Sequence, residues 1–311
     1  MWRAAAGTKH PIFGVAMPKS SSASTPLYPS LSTALAALEA GSLSLAWSEA
    51  PTPLLQLTKL LWLKDEGRNL SGSWTDRVAA ALVTAARACG QAEIDLSAVC
   101  DLPAADQNSL AVSLAIYAAQ NGLGAKVALR EPFADADFFR IRASGAHIIS
   151  GLDTNTEKSL RNEIDCCIDQ AKKIAVTLFS KELSDEIKPQ LDGPELWTTL
   201  WPTHDDLRVC GMLPAPASTG VMAGMPRIAL VNHDRSQAVL ECWKRYAQRG
   251  WLLAPETATA IAYYEQHAAN LGPTVIVNPR SALAASHELA AWTGLRRYPT
   301  RMPVGGIITP Q

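Results

Sequence analysis

The side chains whose types and spacing could do chemistry are concentrated in two neighbouring motifs. Residues 64–69 read KDEGRN, and residues 71–77 read SGSWTDR. Serine hydroxyls and a glycine at the start of a predicted helix offer donors to a carboxylate or phosphate, because the first N–H groups of a helix have no partner within it. The motifs therefore predict a site for a small anionic or amino-acid-like ligand, with Lys64, Ser73 and Thr75 as candidate catalytic side chains.

Apolar periodicity indicates the elements that position these motifs. A strand is expected at 60–66, and apolar residues at three- and four-residue spacing from Ser71 predict a helix that ends near Gly90. Further strands are expected at 43–47, 97–101, 125–129, 146–149, 174–179, 227–232 and 274–278. Further helices are expected at 30–41, 107–120, 134–143, 154–173, 235–249, 256–270 and 281–291, with an irregular stretch at 180–226. This alternation predicts βαβ units around parallel sheets.

Three motifs at fixed spacing resemble the threonine synthase branch of the fold-type II pyridoxal-phosphate enzymes, the tryptophan synthase beta-like family. They are TPL at 52–54, KDEGRN at 64–69 and SGSWTDR at 71–77, where the family has (S/T)-G-S-F-K-D-R. The resemblance is strong over 52–90 and extends over 43–290.

The resemblance implies an α/β fold with two open, twisted, mostly parallel sheets flanked by helices and a cleft between two domains. It implies a large domain formed by 30–60 and 175–311 and a smaller βαβ domain at 61–174. The serine cluster at 20–24 and the absence of acidic residues before Glu39 faintly resemble a transit peptide but favour an N-terminal arm at 1–29. The family resemblance also implies a homodimer, or a heteromer with an active relative.

The position of Thr75 is the one at which the family has its Schiff-base lysine. That lysine also moves protons at the α and β carbons of the substrate. Only an amine condenses with the cofactor aldehyde, and a threonine hydroxyl is a poor general base at neutral pH without a neighbour that activates it. The resemblance, with this substitution, predicts that covalent pyridoxal phosphate is lost, and it leaves noncovalent binding of the cofactor open.

Two further cofactor contacts of the family are altered. Its (S/T)-x-G-N loop corresponds to 105–109, where the glycine is absent and Asp106 adds a negative charge. Its phosphate loop corresponds to 211–226, where two prolines remove N–H donors, and residues 218–220 are either an ordinary turn or a small anion nest. The implied ligand- or cofactor-binding residues are Arg68, Asn69, Ser71, Gly72, Ser73, Asn108, Ser109, Ser218, Thr219, Gly220 and Ser281.

Three functions are consistent with these changes. The chain is a pseudoenzyme or small-ligand-binding subunit, or it is a cofactor-independent enzyme that reuses the cleft. The alternative is a pyridoxal-phosphate-dependent lyase or synthase that acts on an amino acid by β-elimination or replacement. The charged residues of the two motifs could also serve only to hold the strand, turn and helix in shape.

The composition excludes several classes of protein. The 311 residues contain 28 Lys and Arg against 29 Asp and Glu, so no basic excess exists to neutralise nucleic-acid phosphates. The 48% of hydrophobic residues argues against disorder, and no apolar run is long enough for a membrane helix. The six cysteines form no CxxC pair, which argues against structural zinc and favours free thiols in the cytoplasm.

Overall fold

The computed structural model describes residues 27–45, 52–97, 102, 104–131, 133–149, 158–191, 197–203, 228–232, 236–282, 285, 289 and 292. These residues form helices α1 (Leu31–Glu39), α2 (Thr75–Ala88), α3 (Ala104–Gln120), α4 (Asp135–Ala143), α5 (Lys158–Ile187), α6 (Gln237–Ala247) and α7 (Pro255–Leu271). They form strands β1 (Leu54–Thr58), β2 (Leu61–Asp65), β3 (Glu93–Leu96), β4 (Gly124–Ala128), β5 (His147–Ile149), β6 (Thr198–Thr203), β7 (Ile228–Asn232) and β8 (Thr274–Asn278).

A five-stranded sheet has the strand order β1-β2-β8-β6-β7. β1 is antiparallel to β2, and the other neighbours are parallel. All residues of β2 and β8 are buried, as expected for parallel strands that are covered on both faces. Their register places Asp65 opposite Asn278, so the carboxyl ends of both strands meet at one edge of the sheet.

A second sheet contains the parallel strands β3, β4 and β5 in that order. α3 and α4 connect these strands in sequence, which makes consecutive βαβ units. α2 packs against α1, α3 and α5, and it is therefore buried on nearly all sides from Val78 to Ala86. The expected architecture of two mostly parallel sheets flanked by helices is confirmed.

Apolar clusters cover both faces of the five-stranded sheet. Trp62 and Val275 belong to the cluster that includes α2, α3 and α5, whereas Leu63 and Ile276 belong to the cluster that includes α6 and α7. Alternate residues of β2 therefore face different helices. Lys64 lies two positions after Trp62 on β2, so its side chain is on the same face of the sheet and points towards α2 and α5.

The strand expected at 174–179 is wrong, because this segment lies inside the 30-residue helix α5. The β-branched residues Ile174 and Val176 favour a strand when they are viewed alone. The buried residues continue at helical spacing, however, through Ala171, Ala175, Phe179, Leu183 and Ile187. A helix that buries this stripe against α1 and α2 therefore prevails over local β propensity.

Other boundaries differ more modestly. The strand expected at 97–101 is found at Glu93–Leu96, and residues 98–101 lie outside the described part of the chain. Residues 43–45 form no strand, and β6 lies in the stretch expected to be irregular. The helix expected at 154–173 is found as the longer helix Lys158–Ile187, and the remaining elements are confirmed within a few residues. Of the helix expected at 281–291, only scattered residues are described, and Ala285 N donates to Ser281 O at 3.0 Å as in a helix.

The division into domains stays a prediction. β2, which begins at Leu61, shares the five-stranded sheet with β1 and β8, so the sheets do not divide between residues 60 and 61. Most of the expected arm, 1–26, lies outside the described residues.

Candidate ligand site at the start of helix α2

The turn that leads into α2 is held against the segment that follows β8. Ser281 N donates to Gly72 O at 2.7 Å, and Trp74 N donates to Pro279 O at 2.8 Å. These two bonds flank an antiparallel bridge between Ser73 and Arg280. The start of α2 is therefore joined by main-chain bonds to the carboxyl end of the central strand β8.

Two glycines permit this close approach. Gly72 has a φ of 82°, a left-handed conformation that other residues adopt at a cost, and a Cβ on it would lie 2.8 Å from Ser281 Oγ. A Cβ on Gly67 would lie 2.7 Å from Ser281 N. Both glycines of the KDEGRN and SGSWTDR motifs are thus explained by packing against residues 280–281.

Hydroxyl groups surround Thr75, the first residue of α2. Thr75 Oγ1 donates to Ser73 Oγ at 3.1 Å and lies 2.7 Å from Ser113 Oγ, which in turn lies 2.9 Å from Ser71 Oγ. These four side chains, called the hydroxyl cluster below, are each at most 5% exposed. Three of them were candidates from the sequence, whereas Ser113 on α3 was missed, and its only signal is a lone hydroxyl in the apolar run LAVSLAIYAA.

The backbone donors expected to bind an anion already have acceptors within the protein. Ser71 N donates to Asp76 Oδ2 at 2.6 Å, and Gly72 N donates to Asn69 O at 2.8 Å. Thr75 N donates to Ser73 Oγ at 3.3 Å. These donors at the helix start are therefore satisfied within the protein, as is normal for a helix end that is buried in a core.

Lys64 lies in a different place, in a buried ionic network between β2 and α5. Its Nζ contacts Thr52 O at 2.6 Å, Glu182 Oε1 at 2.7 Å and Glu186 Oε2 at 2.7 Å. An ammonium group has three N–H donors, so all of them are used, and the side chain is 0% exposed. The structure does not bring this amine together with the hydroxyl cluster.

Arg77 extends this network to the KDEGRN motif. Its Nε and Nη2 donate to the two oxygens of Glu66 at 2.7 and 2.9 Å, and its Nη1 lies 2.7 Å from Glu182 Oε2. Burial lowers the pKa of Arg77, but the charges and hydrogen bonds of Glu66 and Glu182 outweigh it and raise the pKa above the ordinary arginine value. Asn69 Nδ2 also donates to Glu66 Oε2, at 2.8 Å. The TPL, KDEGRN and DR segments are thus held together by one network of ion pairs and hydrogen bonds.

The carboxyl ends of β2 and β8 carry a second polar group of side chains. Asn278 Nδ2 donates to Asp65 Oδ1 at 2.7 Å and its Oδ1 accepts from Thr257 Oγ1 at 2.6 Å. Arg280 Nε donates to Glu256 Oε1, and both side chains are almost fully buried. Arg68, a predicted ligand residue, is instead 74% exposed, and its Nε lies 3.3 Å from Asp65 Oδ2.

Asn108 does not lie in a loop before a helix, as the resemblance implied, but in the second turn of α3, which begins at Ala104. Its Nδ2 donates to Arg130 O and its Oδ1 accepts from Arg130 N, both at 2.8 Å. This pair of bonds ties α3 to the chain after β4. Ser109 is half-buried beside it, whereas Ser218, Thr219 and Gly220 lie outside the described residues.

α4 also reaches the turn before α2. Arg140 Nη2 donates to Ser71 O at 2.5 Å. Burial raises the pKa of Asp137, one turn earlier, although the charges of Arg140 and Arg280 oppose the increase. Helices α2 and α4 and the segment after β8 therefore converge on the hydroxyl cluster.

Comparisons with known proteins identify this architecture. No protein-family model matches the sequence, and no curated protein matches it. O-ureido-L-serine synthase aligns with a TM-score of 0.54 and 13% identity, over 80% of this chain and 95% of that chain. A lysine-to-alanine mutant of that enzyme, bound to O-ureido-L-serine, aligns with a TM-score of 0.54 and 15% identity, over 80% and 92%. A fungal L-serine ammonia-lyase from Rhizomucor miehei aligns with a TM-score of 0.54 and 14% identity, over 79% and 98%.

The chain therefore has the fold of the fold-type II pyridoxal-phosphate enzymes, with two sheets flanked by helices. No helix among the described residues is both long and apolar enough to cross a membrane. The part of the chain that the structure describes also contains no group of three His, Cys, Asp or Glu side chains that could hold a metal ion.

Two described residues bear on whether this chain could hold pyridoxal phosphate covalently. The resemblance places Thr75 at the lysine position, where the structure shows a buried hydroxyl bonded to other hydroxyls. The amine of Lys64 is buried, and its donors are used by Thr52, Glu182 and Glu186. The corresponding phosphate loop, 211–226, lies outside the described residues.

Proposed function

We propose that this chain is a non-catalytic subunit of the fold-type II architecture, in which the place of the Schiff-base lysine has become part of the protein core. The observation that carries the proposal is the position of Thr75 between Ser73 Oγ and Ser113 Oγ, at 3.1 and 2.7 Å. Any ligand of this subunit is bound noncovalently, and the ligand class remains a small anion or an amino acid.

The surroundings of Thr75 also argue against a nucleophilic or general-base role for its hydroxyl. An alcohol becomes a nucleophile when an adjacent histidine, carboxylate or amine takes its proton. The hydrogen bonds of Thr75 Oγ1 run to Ser73 and Ser113, which are alcohols with no tendency to accept a proton at neutral pH. Ser73 itself receives the N–H of Thr75 at 3.3 Å. The cluster is thus suited to packing and hydrogen bonding.

A pyridoxal-phosphate-dependent lyase or synthase is the second candidate. It is supported by the fold neighbours, which by their names are a synthase that makes O-ureido-L-serine and an ammonia-lyase of L-serine. The lysine-to-alanine mutant of O-ureido-L-serine synthase, which is bound to O-ureido-L-serine, supports the idea that this fold can bind an amino acid when a lysine has been replaced.

Absorbance spectroscopy separates the two candidates. Purified protein is incubated with pyridoxal phosphate, dialysed, and scanned for the visible band of a protein-bound cofactor. We expect no band after dialysis. A persistent band in the unaltered protein would overturn the proposal and favour the lyase or synthase. Titration with L-serine, followed by the melting temperature, tests noncovalent binding in the same preparation.

The variant Thr75→Lys tests whether the rest of the pocket is intact. Thr75 is 1% exposed and touches Ser113, so a lysine in its place has no room to reach a cofactor without displacing α3. We expect Thr75→Lys to remain free of cofactor after dialysis, like the matched variant Thr75→Met, which has similar bulk and no amine. Uptake of cofactor by Thr75→Lys alone would show that the start of α2 is open to ligand and would contradict the proposed closed site.

A further inference from the structure

Strand β6 and the residue before it place two tryptophans and a threonine on one face of the five-stranded sheet. Trp197 and Trp201 belong to the apolar cluster that includes α2 and α5, whereas Leu200 belongs to the cluster that includes α6 and α7. Because side chains alternate along a strand, Thr199 lies between the two tryptophans on the face towards α2 and α5. The exposures are 3% for each tryptophan and 0% for Thr199, so this group is part of the core.

Two polar atoms of this group lack a hydrogen bond. Neither Trp197 Nε1 nor Thr199 Oγ1 has a hydrogen-bond partner among the described residues, although both atoms are buried. The neighbouring threonine is different, because Thr198 Oγ1 on the opposite face donates to Leu271 O at 3.2 Å. Buried polar groups are nearly always paired with protein or with ordered water, so two orphaned groups on one face need an explanation.

The side chains around Thr199 differ strongly in length. The register places Val275 beside Thr199 on the neighbouring strand β8, and Trp62 beside Val275 on β2. Two short side chains are therefore bounded on three sides by the large indole rings of residues 62, 197 and 201, which all belong to the same apolar cluster. This difference in length predicts a depression in the sheet surface above Thr199, lined by the two orphaned polar atoms.

The energetic costs favour a water molecule in this depression. A buried polar group without a hydrogen bond lowers the folding equilibrium constant by about 5- to 150-fold, and the factors for two groups multiply. Immobilisation of one water costs at most about 30-fold. An indole N–H only donates, and a hydroxyl both donates and accepts, so one water can bond to Trp197 and Thr199 together. With two bonds of about 2.8 Å, a water bridges atoms up to about 5.5 Å apart, which suits side chains two positions apart on a strand.

We propose that one structural water molecule is bound between Trp197 Nε1 and Thr199 Oγ1, within the core between the sheet and helices α2 and α5. The site is adjacent to the packing that supports α2. Trp201 packs edge-on against Trp74, with 5.1 Å between the ring centroids, and Trp74 immediately precedes the first residue of α2. The water therefore completes the core layer beneath the start of α2.

A high-resolution crystal structure and magnetic relaxation dispersion of the water oxygen nuclei test the proposal. In the unaltered protein we expect an ordered water within about 3.2 Å of both atoms. In Thr199→Val, which keeps the side-chain shape and removes the hydroxyl, we expect one long-lived internal water fewer, because the site loses one of its partners. The matched control is Thr198→Val on the opposite face of the same strand, and it should keep this water.

Urea unfolding provides an energetic test of the same site. With a bridging water, Thr199→Val leaves Trp197 Nε1 without a partner, so the unfolding equilibrium constant should rise about tenfold. In a dry site the same change removes an unpartnered hydroxyl and should leave the constant unchanged or lower it. Trp197→Phe should then raise the constant about fivefold less in the Thr199→Val background than in the unaltered protein, because the two side chains share one water.

Three outcomes would overturn the proposal. They are a crystal structure without water between the two atoms, a Thr199→Val protein that keeps every internal water, and a Thr199→Val protein that is at least as stable as the unaltered one. None of them bears on the cofactor spectrum, so this inference and the proposed function can fail independently.

Discussion

Replacement of Lys64 by methionine tests whether this amine is structural or catalytic. Its three donors contact Thr52 O at 2.6 Å, and Glu182 and Glu186 at 2.7 Å each. Removal of one partner from a buried ion pair costs about 3–5 kcal/mol. Glu182 keeps Arg77 at 2.7 Å, and the two glutamates are 18% and 23% exposed, so water replaces part of the loss. We therefore expect Lys64→Met to lower the free energy of unfolding by about 3 kcal/mol.

Urea unfolding at neutral pH, with secondary structure as the probe, measures this change. Lys181→Met is the matched control, since Lys181 is an exposed residue of the same helix as Glu182, and its effect should be below about 0.5 kcal/mol. A loss below about 1 kcal/mol in Lys64→Met would refute the structural role. A stable Lys64→Met protein that has lost ligand binding would instead assign Lys64 to the site.

The same variant has a predictable pH dependence. Burial raises the pKa of Glu182, but the hydrogen bonds and charges of Arg77 and Lys64 outweigh it and hold the pKa below the ordinary value. A depressed pKa contributes stability above the unfolded-state pKa, and this stability is lost as the pH falls through the folded-state pKa. The stability difference between the unaltered protein and Lys64→Met should therefore narrow as the pH falls below about 4.3, the ordinary glutamate pKa.

Two further stability predictions concern the start of α2. Gly72→Ala should lower the free energy of unfolding in urea by about 2 kcal/mol or more, because it adds a clash with Ser281 Oγ to the cost of a positive φ. The matched control is Gly122→Ala, since Gly122 has a φ of 71° and nothing lies within 4 Å of its added Cβ. This control should show only the conformational cost of about 1 kcal/mol. Equal losses in the two variants would contradict the close approach. Ser113→Ala should cost about 1–3 kcal/mol, because Ser71 Oγ loses its buried partner at 2.9 Å, and a neutral result would show that water replaces it.

The sequence predicted the fold class because its signals are local. The KDEGRN and SGSWTDR motifs, the helical spacing from Trp74 onward and the apolar run of β8 each lie within a few residues. The glycines at the ends of α1 and α2 also mark the boundaries, with φ values of 72° for Gly41 and 69° for Gly90. Such signals depend on residues that are close together in the sequence, so they can be recognised before the fold is known.

The partners of the candidate site residues could not be predicted in the same way. Glu182 and Glu186 lie four positions apart on α5, and their common face is evident only if the helix extends beyond residue 179. Because 174–179 was expected to be a strand, the sequence did not identify Glu182 and Glu186 as the acceptors of Lys64. The role of Ser113 could not be predicted for another reason, because a serine within an apolar helix does not indicate which neighbour its hydroxyl contacts.

The pairing of β2 with β8 also constrains how the chain is assembled. Asp65 and Asn278 are bonded across a separation of 213 positions. Contacts between such distant segments form slowly, because the two ends of the long intervening chain must first be brought together. During synthesis, β2 leaves the ribosome long before its parallel neighbour exists, so one edge of an apolar strand stays open. We therefore expect the yield of folded protein to depend strongly on growth temperature and on the supply of chaperones.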